Sequence, residues 1–276
     1  MKTILLTGAA GGVGTFLRRE LAGRYRLRLS DIRPIESLGA GETFVAGDCA
    51  KLEDMLRAVE SVDGVIHLGG FSVEGPWETI LPANIVGTYN LFEAARQRGV
   101  KRVIFASSNH AVGFYKRTER IDHTVYPKPD GRYGLSKMFG EGVARLYADK
   151  YGVGSMCIRI GNVAERPVDV RRLSIWISPR DLAQLIGIGL DHPDIAFEIV
   201  YGASDNARAW WDNTNAHRLG YRPQDRSEDY AVDVLSKHPA TTGDAIADAH
   251  QGGSFCTSET GGDPFKTADG RPLAKQ

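Results

Sequence analysis

With 276 residues, 42% of them hydrophobic, the chain can bury a sizeable core, and its length allows one large domain or two small ones. Lysine plus arginine equals aspartate plus glutamate at 34 each, so no bulk field draws the chain to nucleic acid or to an anionic membrane, and the expected partner is a small molecule. Three widely spaced cysteines, Cys49, Cys157 and Cys256, argue against a disulfide framework or a cysteine metal site and fit a reducing cytoplasm.

In chain order, Ile4 to Thr7 reads as a buried first strand. The run is too short for a signal peptide, and no later stretch approaches the roughly 20 apolar residues of a membrane span. Gly12 to Gly23 predicts a helix with Val13, Phe16, Leu17 and Leu21 on one face. Leu27 to Ser30 and Thr43 to Ala46 are strands, Leu52 to Val59 is a helix, and Val65 to Leu68 is a fourth strand. Trp77 to Arg98 predicts one long helix, Val103 to Ala106 a fifth strand, Gly131 to Tyr151 a second long helix and Ser155 to Ile160 a sixth strand. Strands alternating with helices of this length predict an α/β fold, a doubly wound parallel (Rossmann) sheet covered on both faces. Beyond Ile160 the pattern loosens. Arg166 to Ser174 reads as a loop, Pro179 to Leu190 as a helix with proline in its first turn, and Ala196 to Val200 as a strand. From Thr241 a stretch rich in glycine, threonine and aspartate reads as an extended tail. The expected organisation is one Rossmann-like domain over 1–276, with a small substrate lobe from 162–240 and the tail over 241–276.

The turn Thr7-Gly8-Ala9-Ala10-Gly11-Gly12-Val13-Gly14 lies between the first strand and the first helix. Gly8 permits the tight turn, Gly11 lets backbone approach a pyrophosphate, and Gly14 lets helix and sheet pack closely. The helix start at Gly12 and Val13 offers free N–H groups and a positive dipole end to the phosphates. Asp31, with Ile32 and Arg33 behind it, ends the second strand where an acid binds the adenosine ribose. A carboxylate there repels a 2′-phosphate and favours NAD over NADP, although Arg33 pulls the other way. Asp48, beside Cys49, either accepts from the adenine amino group or caps a helix. Leu68, Gly69 and Gly70 leave room for the cofactor, and the preceding His67 reads as structural.

Tyr133 and Lys137 stand four apart and therefore share one helix face. An ammonium beside a phenol stabilises phenolate and lowers the phenol's pKa, which predicts Tyr133 as a general base and Lys137 as its helper and a holder of the nicotinamide ribose. Ser108, Asn109 and His110 end the fifth strand at the sheet's carboxyl edge, where such folds bind ligands; Ser108 is placed to hydrogen-bond the reacting oxygen. No metal is expected, because no His/Cys/Asp set has ligand spacing.

From Thr7-Gly-x-x-Gly-x-x-Gly14 through Asn84-Ile-x-Gly-Thr88 to Tyr133-x-x-x-Lys137, the chain resembles extended short-chain dehydrogenases over most of its length. In that family the residues matching Ser108, Tyr133 and Lys137 are catalytic. A narrower resemblance is to bacterial uronate dehydrogenases, carried by His67-Leu-Gly-Gly-Phe-Ser-Val-Glu74, Phe105-Ala-Ser-Ser-Asn-His110, Arg159-Ile-Gly161, Leu173-Ser-Ile-Trp176, Trp210-Trp-Asp-Asn213 and Gln251-Gly-Gly-Ser-Phe255. It implies substrate contacts from Ser72, Ser108, Asn109, His110, Arg171 and Phe255, and from position 162, where Asn162 replaces the family's serine. An arginine fork suits a carboxylate, so Arg171 is the expected partner of a uronate; the competing reading is a solvated arginine beside Arg166 and Arg172. Phe255 could equally anchor the tail, and Trp210 and Trp211 read as core.

The expected activity is NAD-dependent oxidation of a hexuronic acid, glucuronate or galacturonate, at C1 to the aldarolactone. Two other functions compete: a nucleotide-sugar epimerase or dehydratase on the same fold, and a non-catalytic NAD-sensing protein. A homo-oligomer is expected, its long helices pairing across a dimer.

Overall fold

The computed structural model describes residues 1–258, and the last part of the tail, 259–276, lies outside the described residues. Seven strands form one parallel sheet in the order β3-β2-β1-β4-β5-β6-β9. These are β1 (Thr3–Thr7), β2 (Arg26–Asp31), β3 (Glu42–Ala46), β4 (Gly64–His67), β5 (Arg102–Ser108), β6 (Gly154–Ile160) and β9 (Phe197–Gly202). Strand order reverses between β1 and β4, the switch point at which such sheets bind ligands.

Alternation along β1 shows why both faces are covered. Ile4 and Leu6 enter one core with Leu17 and Leu21 of α1 (Gly12–Glu20) and Leu182, Leu185 and Ile186 of α7 (Pro179–Asp191). Leu5 enters the other, with Met55 of α2 (Leu52–Ala58), Leu91 and Phe92 of α4 (Gly87–Gln97), and Val143, Ala144 and Tyr147 of α5 (Arg132–Tyr151). Side chains alternate across a strand, so a continuous apolar run such as Ile4-Leu5-Leu6 fits only a sheet buried on both sides.

Three sequence expectations change. The long helix over Trp77 to Arg98 is interrupted: α3 (Trp77–Ile80) passes into a π-helical turn, Leu81–Val86, before α4. Asn84 on that turn explains the bulge. Its Oδ1 accepts from Phe71 N at 2.7 Å and its Nδ2 donates to Phe71 O at 2.9 Å and to Ser136 Oγ at 2.9 Å, tying the loop after β4 to α5. The loop read over Arg166 to Ser174 contains the start of a short helix, α6 (Arg172–Ile175), between β7 (Asn162–Val163) and β8 (Trp176–Ile177). The described part of the tail is not extended. After α8 (Thr214–Arg218) and α9 (Ala231–Lys237) come α10 (Ala245–Ala249) and a 3₁₀ turn, Gly253–Cys256.

Candidate active site

At the cofactor end the glycines meet the geometry a dinucleotide needs. Gly8 has φ +67°, and a Cβ there would lie 2.9 Å from Leu68 C; a Cβ at Gly14 would lie 2.5 Å from Gly8 O. Around Gly12 there is open space, and α1 begins at Gly11 with no side-chain cap, so its leading N–H groups are available to phosphate. Asp31 is turned toward this loop: Oδ2 accepts from Ala10 N at 2.9 Å and Oδ1 from Arg33 N at 2.9 Å. Arg33 donates to Ala10 O at 2.8 Å, while Ile32 is largely exposed. Asp48 closes its own turn, accepting from Ala50 N at 2.9 Å. Cys49 packs under Gly69, and burial pushes its thiol up to about 12, so it is inert. A Cβ at Gly70, φ +134°, would lie 2.9 Å from Asn84 Oδ1. His67 is buried, with Nδ1 2.7 Å from Thr7 Oγ1; burial, then Lys137, pushes it down to about 3, which keeps it neutral. These residues fit a dinucleotide.

The catalytic helix α5 crosses β5 closely, because a Cβ at Gly140 would lie 2.2 Å from Phe105 Cζ. Lys137 is buried, donates to Ala106 O at 2.8 Å, and lies 5.4 Å from the centre of the Tyr133 ring. The phenol is not acidic here, contrary to the sequence expectation. Burial pushes Tyr133 up to about 12; a side-chain hydrogen bond with Ser108 works downward and Asp130 upward. Burial also brings Lys137 down to about 8. Removal from water penalises phenolate and ammonium alike and is the largest cause at both groups.

The N-terminus of α5 is held in a way the local sequence does not suggest. Asp130, just before the helix, is the residue type expected to cap it. Instead Glu74, nearly 60 positions earlier, accepts from Arg132 N and Tyr133 N, each at 3.0 Å. A Cβ at Gly131 would lie 2.1 Å from Glu74 Oε2, so only glycine admits this cap. Asp130 turns the other way and lies 2.6 Å from His110 Nδ1.

At the substrate end, Ser108 Oγ accepts from His110 N at 3.2 Å, starting the 3₁₀ turn Asn109–Val112. Phe255 stacks on the His110 ring with centres 3.8 Å apart and meets Tyr133 edge-on at 6.1 Å. The tail therefore reaches Tyr133. Arg171 is not a solvated loop arginine. It is half-buried and its Nε and Nη2 converge on Gln251 O at 3.0 and 2.7 Å; with the Asn109 amide turned to the orientation that satisfies both its ends, Asn109 Oδ1 accepts from Nη2 at 3.1 Å. Burial first, then Arg172 and Arg117, lower it to about 10. All of these hydrogen-bond partners are neutral, so among the described residues no carboxylate is hydrogen-bonded to the guanidinium. Asn162 Oδ1 is buried with no hydrogen-bond partner among the described residues. Ser72 is exposed, on the loop after β4.

Glu74, Asp130 and Gln251 carry this arrangement and were not singled out from sequence. Gln251 is fully buried: its Nε2 donates to Lys116 O at 3.1 Å and Glu119 O at 3.0 Å, and its Oε1 accepts from Trp211 Nε1 at 2.9 Å. Trp211 is core, stacked on Tyr201 with centres 4.8 Å apart. A fully buried glutamine in a polar tail leaves no periodic signal. Among the described residues no His/Cys/Asp/Glu group is arranged to hold a metal, and no helix is long and apolar enough to cross a membrane.

The model of the NAD dependent epimerase/dehydratase family matches residues 4–169. The chain is 48% identical over 257 residues to a uronate dehydrogenase of Pseudomonas putida, covering 92% of this chain and 96% of that one. A crystal structure of glucuronic acid dehydrogenase from Chromohalobacter salexigens is 44% identical, with TM-score 0.89 over 92% of this chain and 96% of that chain. A uronate dehydrogenase from Agrobacterium tumefaciens, a tyrosine-to-alanine mutant complexed with NAD, is 40% identical, with TM-score 0.90 over 100% of both chains.

Proposed function

The chain belongs to the NAD dependent epimerase/dehydratase family and, within it, to the uronate dehydrogenases, and we propose on that premise how its residues oxidise a cyclic hexuronic acid at C1 to the aldarolactone. The observation that carries the reading is Arg171, a half-buried guanidinium at the substrate end whose hydrogen bonds all go to neutral acceptors. A desolvated cation in that state favours an anionic ligand, and its planar fork suits a carboxylate.

NAD supplies the hydride acceptor when bound; Gly8, Gly11, Gly12, Val13 and Gly14 would hold its pyrophosphate, Asp31 with Ile32 and Arg33 its adenosine ribose, and Asp48, Cys49, Leu68, Gly69 and Gly70 line the same side. Tyr133 takes the proton of the C1 hydroxyl. It does so as phenolate, the phenol's own proton having first passed to solvent; a phenol pushed up to about 12 is a strong proton acceptor in that form. Ser108 donates to the same oxygen and stabilises its developing charge. Lys137, held against Ala106 O, keeps a positive charge within reach of the ring and of the nicotinamide ribose. Arg171 and Asn109 hold the carboxylate, while Ser72, His110 and Asn162 face the ring hydroxyls and Phe255 its apolar side. The loops after β4 and β5, the lobe over 162–240 and the described tail together form this wall.

The test follows NADH absorbance with galacturonate, glucuronate and UDP-sugars. Turnover of a free uronate is expected, with Arg171→Ala raising KM about 100-fold or more. Turnover of UDP-sugars alone, or an unchanged KM in Arg171→Ala, would overturn the reading. We further propose a cytoplasmic homo-oligomer. Cys49, Cys157 and Cys256 are free thiols, and Tyr89, Leu135, Phe139 and Leu146 expose apolar surface on α4 and α5; a monomer mass by light scattering would refute the association.

A further inference from the structure

We propose that Asp130 is a positioning residue that fixes the tautomer of His110, so that His110 reads a sugar hydroxyl with Nε2 as acceptor while Arg171 takes the carboxylate.

The geometry around Asp130 is built for one purpose. Its carboxylate is fully buried, with Oδ2 2.6 Å from His110 Nδ1. Oδ1 is buried and has no hydrogen-bond partner among the described residues. A buried carboxylate normally gathers several donors, because each ungathered lone pair costs desolvation. Here His110 is the single side-chain partner. The slot is shaped by glycines from three separate segments: a Cβ at Gly113 would lie 1.9 Å from Oδ2, one at Gly252 2.0 Å from Oδ2, and one at Gly134 2.9 Å from Oδ1. The work that an acid before a helix ordinarily does is done instead by Glu74, which leaves Asp130 to the histidine.

The consequence for His110 follows from its two ring nitrogens. An ionised carboxylate only accepts, so Nδ1 carries the proton toward Asp130. Phe255 covers one ring face at 3.8 Å and Tyr133 meets the ring edge-on at 5.8 Å, so the plane cannot swing. In the neutral ring Nε2, which has no hydrogen-bond partner among the described residues, is then the lone-pair acceptor. A hydroxyl can donate to it; a carboxylate cannot. The wall thus has two unlike readers, a cationic fork for the acid group and a neutral acceptor for a hydroxyl.

The proposal rests on the sugar-acid reading above, and the experiment separates the two. Asp130→Asn, His110→Ala and the double variant are compared by kcat and KM for galacturonate and glucuronate and by KM for NAD, alongside the ¹⁵N spectrum of histidine-labelled wild type. Asp130→Asn is expected to lower kcat/KM for the uronate about 10- to 100-fold, with KM for NAD unchanged, and to add nothing in the His110→Ala background. Penalties that multiply in the double variant, or an unimpaired Asp130→Asn, overturn the proposal. The spectrum of the wild type is expected to show His110 protonated at Nδ1 and bare at Nε2. A proton on Nε2 overturns it too, even if Asp130→Asn fails to fold, and this outcome does not depend on which sugar is oxidised.

Discussion

On the cofactor side, the residues that matter are near neighbours in the chain. Gly8, Gly11 and Gly14 sit in one turn, and Asp31 ends the next strand and hydrogen-bonds straight back to Ala10. On the substrate side they come from far apart: Asn109 and His110 after β5, Asp130 before α5, Arg171 before α6, and Gln251 and Phe255 from the tail. The first site is a local motif that a βαβ unit presents almost automatically. The second exists only when four segments dock, so its stability and its chemistry are one property. Tyr133 and Lys137 stand where the two meet.

The largest effect should come at that junction. Tyr133→Phe removes the proton acceptor and is expected to lower kcat about 10³-fold while NAD still binds, as read by cofactor fluorescence titration. Full-speed oxidation by this variant would remove the central claim. Gln251→Ala tests the docked wall by itself. Three partners lose their hydrogen bonds, so a destabilisation of about 3 kcal/mol in urea is expected, with a raised KM for uronate and an unchanged Kd for NAD. A matching loss of NAD affinity would show that the two sides are not separable. Lys137→Met gives the smallest change and the opposite sign. Burial depresses Lys137 from 10.5 to about 8, so at neutral pH the folded protein carries an ammonium it disfavours. Between about 8 and 10.5 the unfolded chain binds the extra proton, and wild-type stability rises with pH through that window; below it the penalty is complete. Lys137→Met is therefore expected to gain on the order of 2 kcal/mol in denaturant at pH 7, converging on wild type above 10.5, while losing activity. Wild type more stable than Lys137→Met at pH 7 would contradict this.

Much of the fold, and the candidates for the cofactor turn and the acid–base pair, are legible because their signals are periodic or contiguous: strands that alternate with helices, glycines at fixed offsets, a tyrosine and a lysine one helical turn apart. Tyr133's acidity is not legible because burial has no sequence signature, and burial is the largest cause acting on the phenol. Asp130 carries no distinguishing signal, because an acid before a helix looks like a cap, a role that Glu74 takes from nearly 60 residues away. The tail looked extended because its glycines and polar residues predict no helix, yet Gln251 and Phe255 find buried partners in it.

What the amino-acid order alone determined is the alternation of strands and helices that makes a doubly wound parallel sheet, and the glycine turn after its first strand, both set by spacing over a few residues. Only the tertiary structure decided which acid caps the catalytic helix, which acid orients His110, and how far burial moves the phenol and the ammonium. Those depend on desolvation and on contacts between segments distant in sequence, and neither quantity is a property of any short stretch of chain.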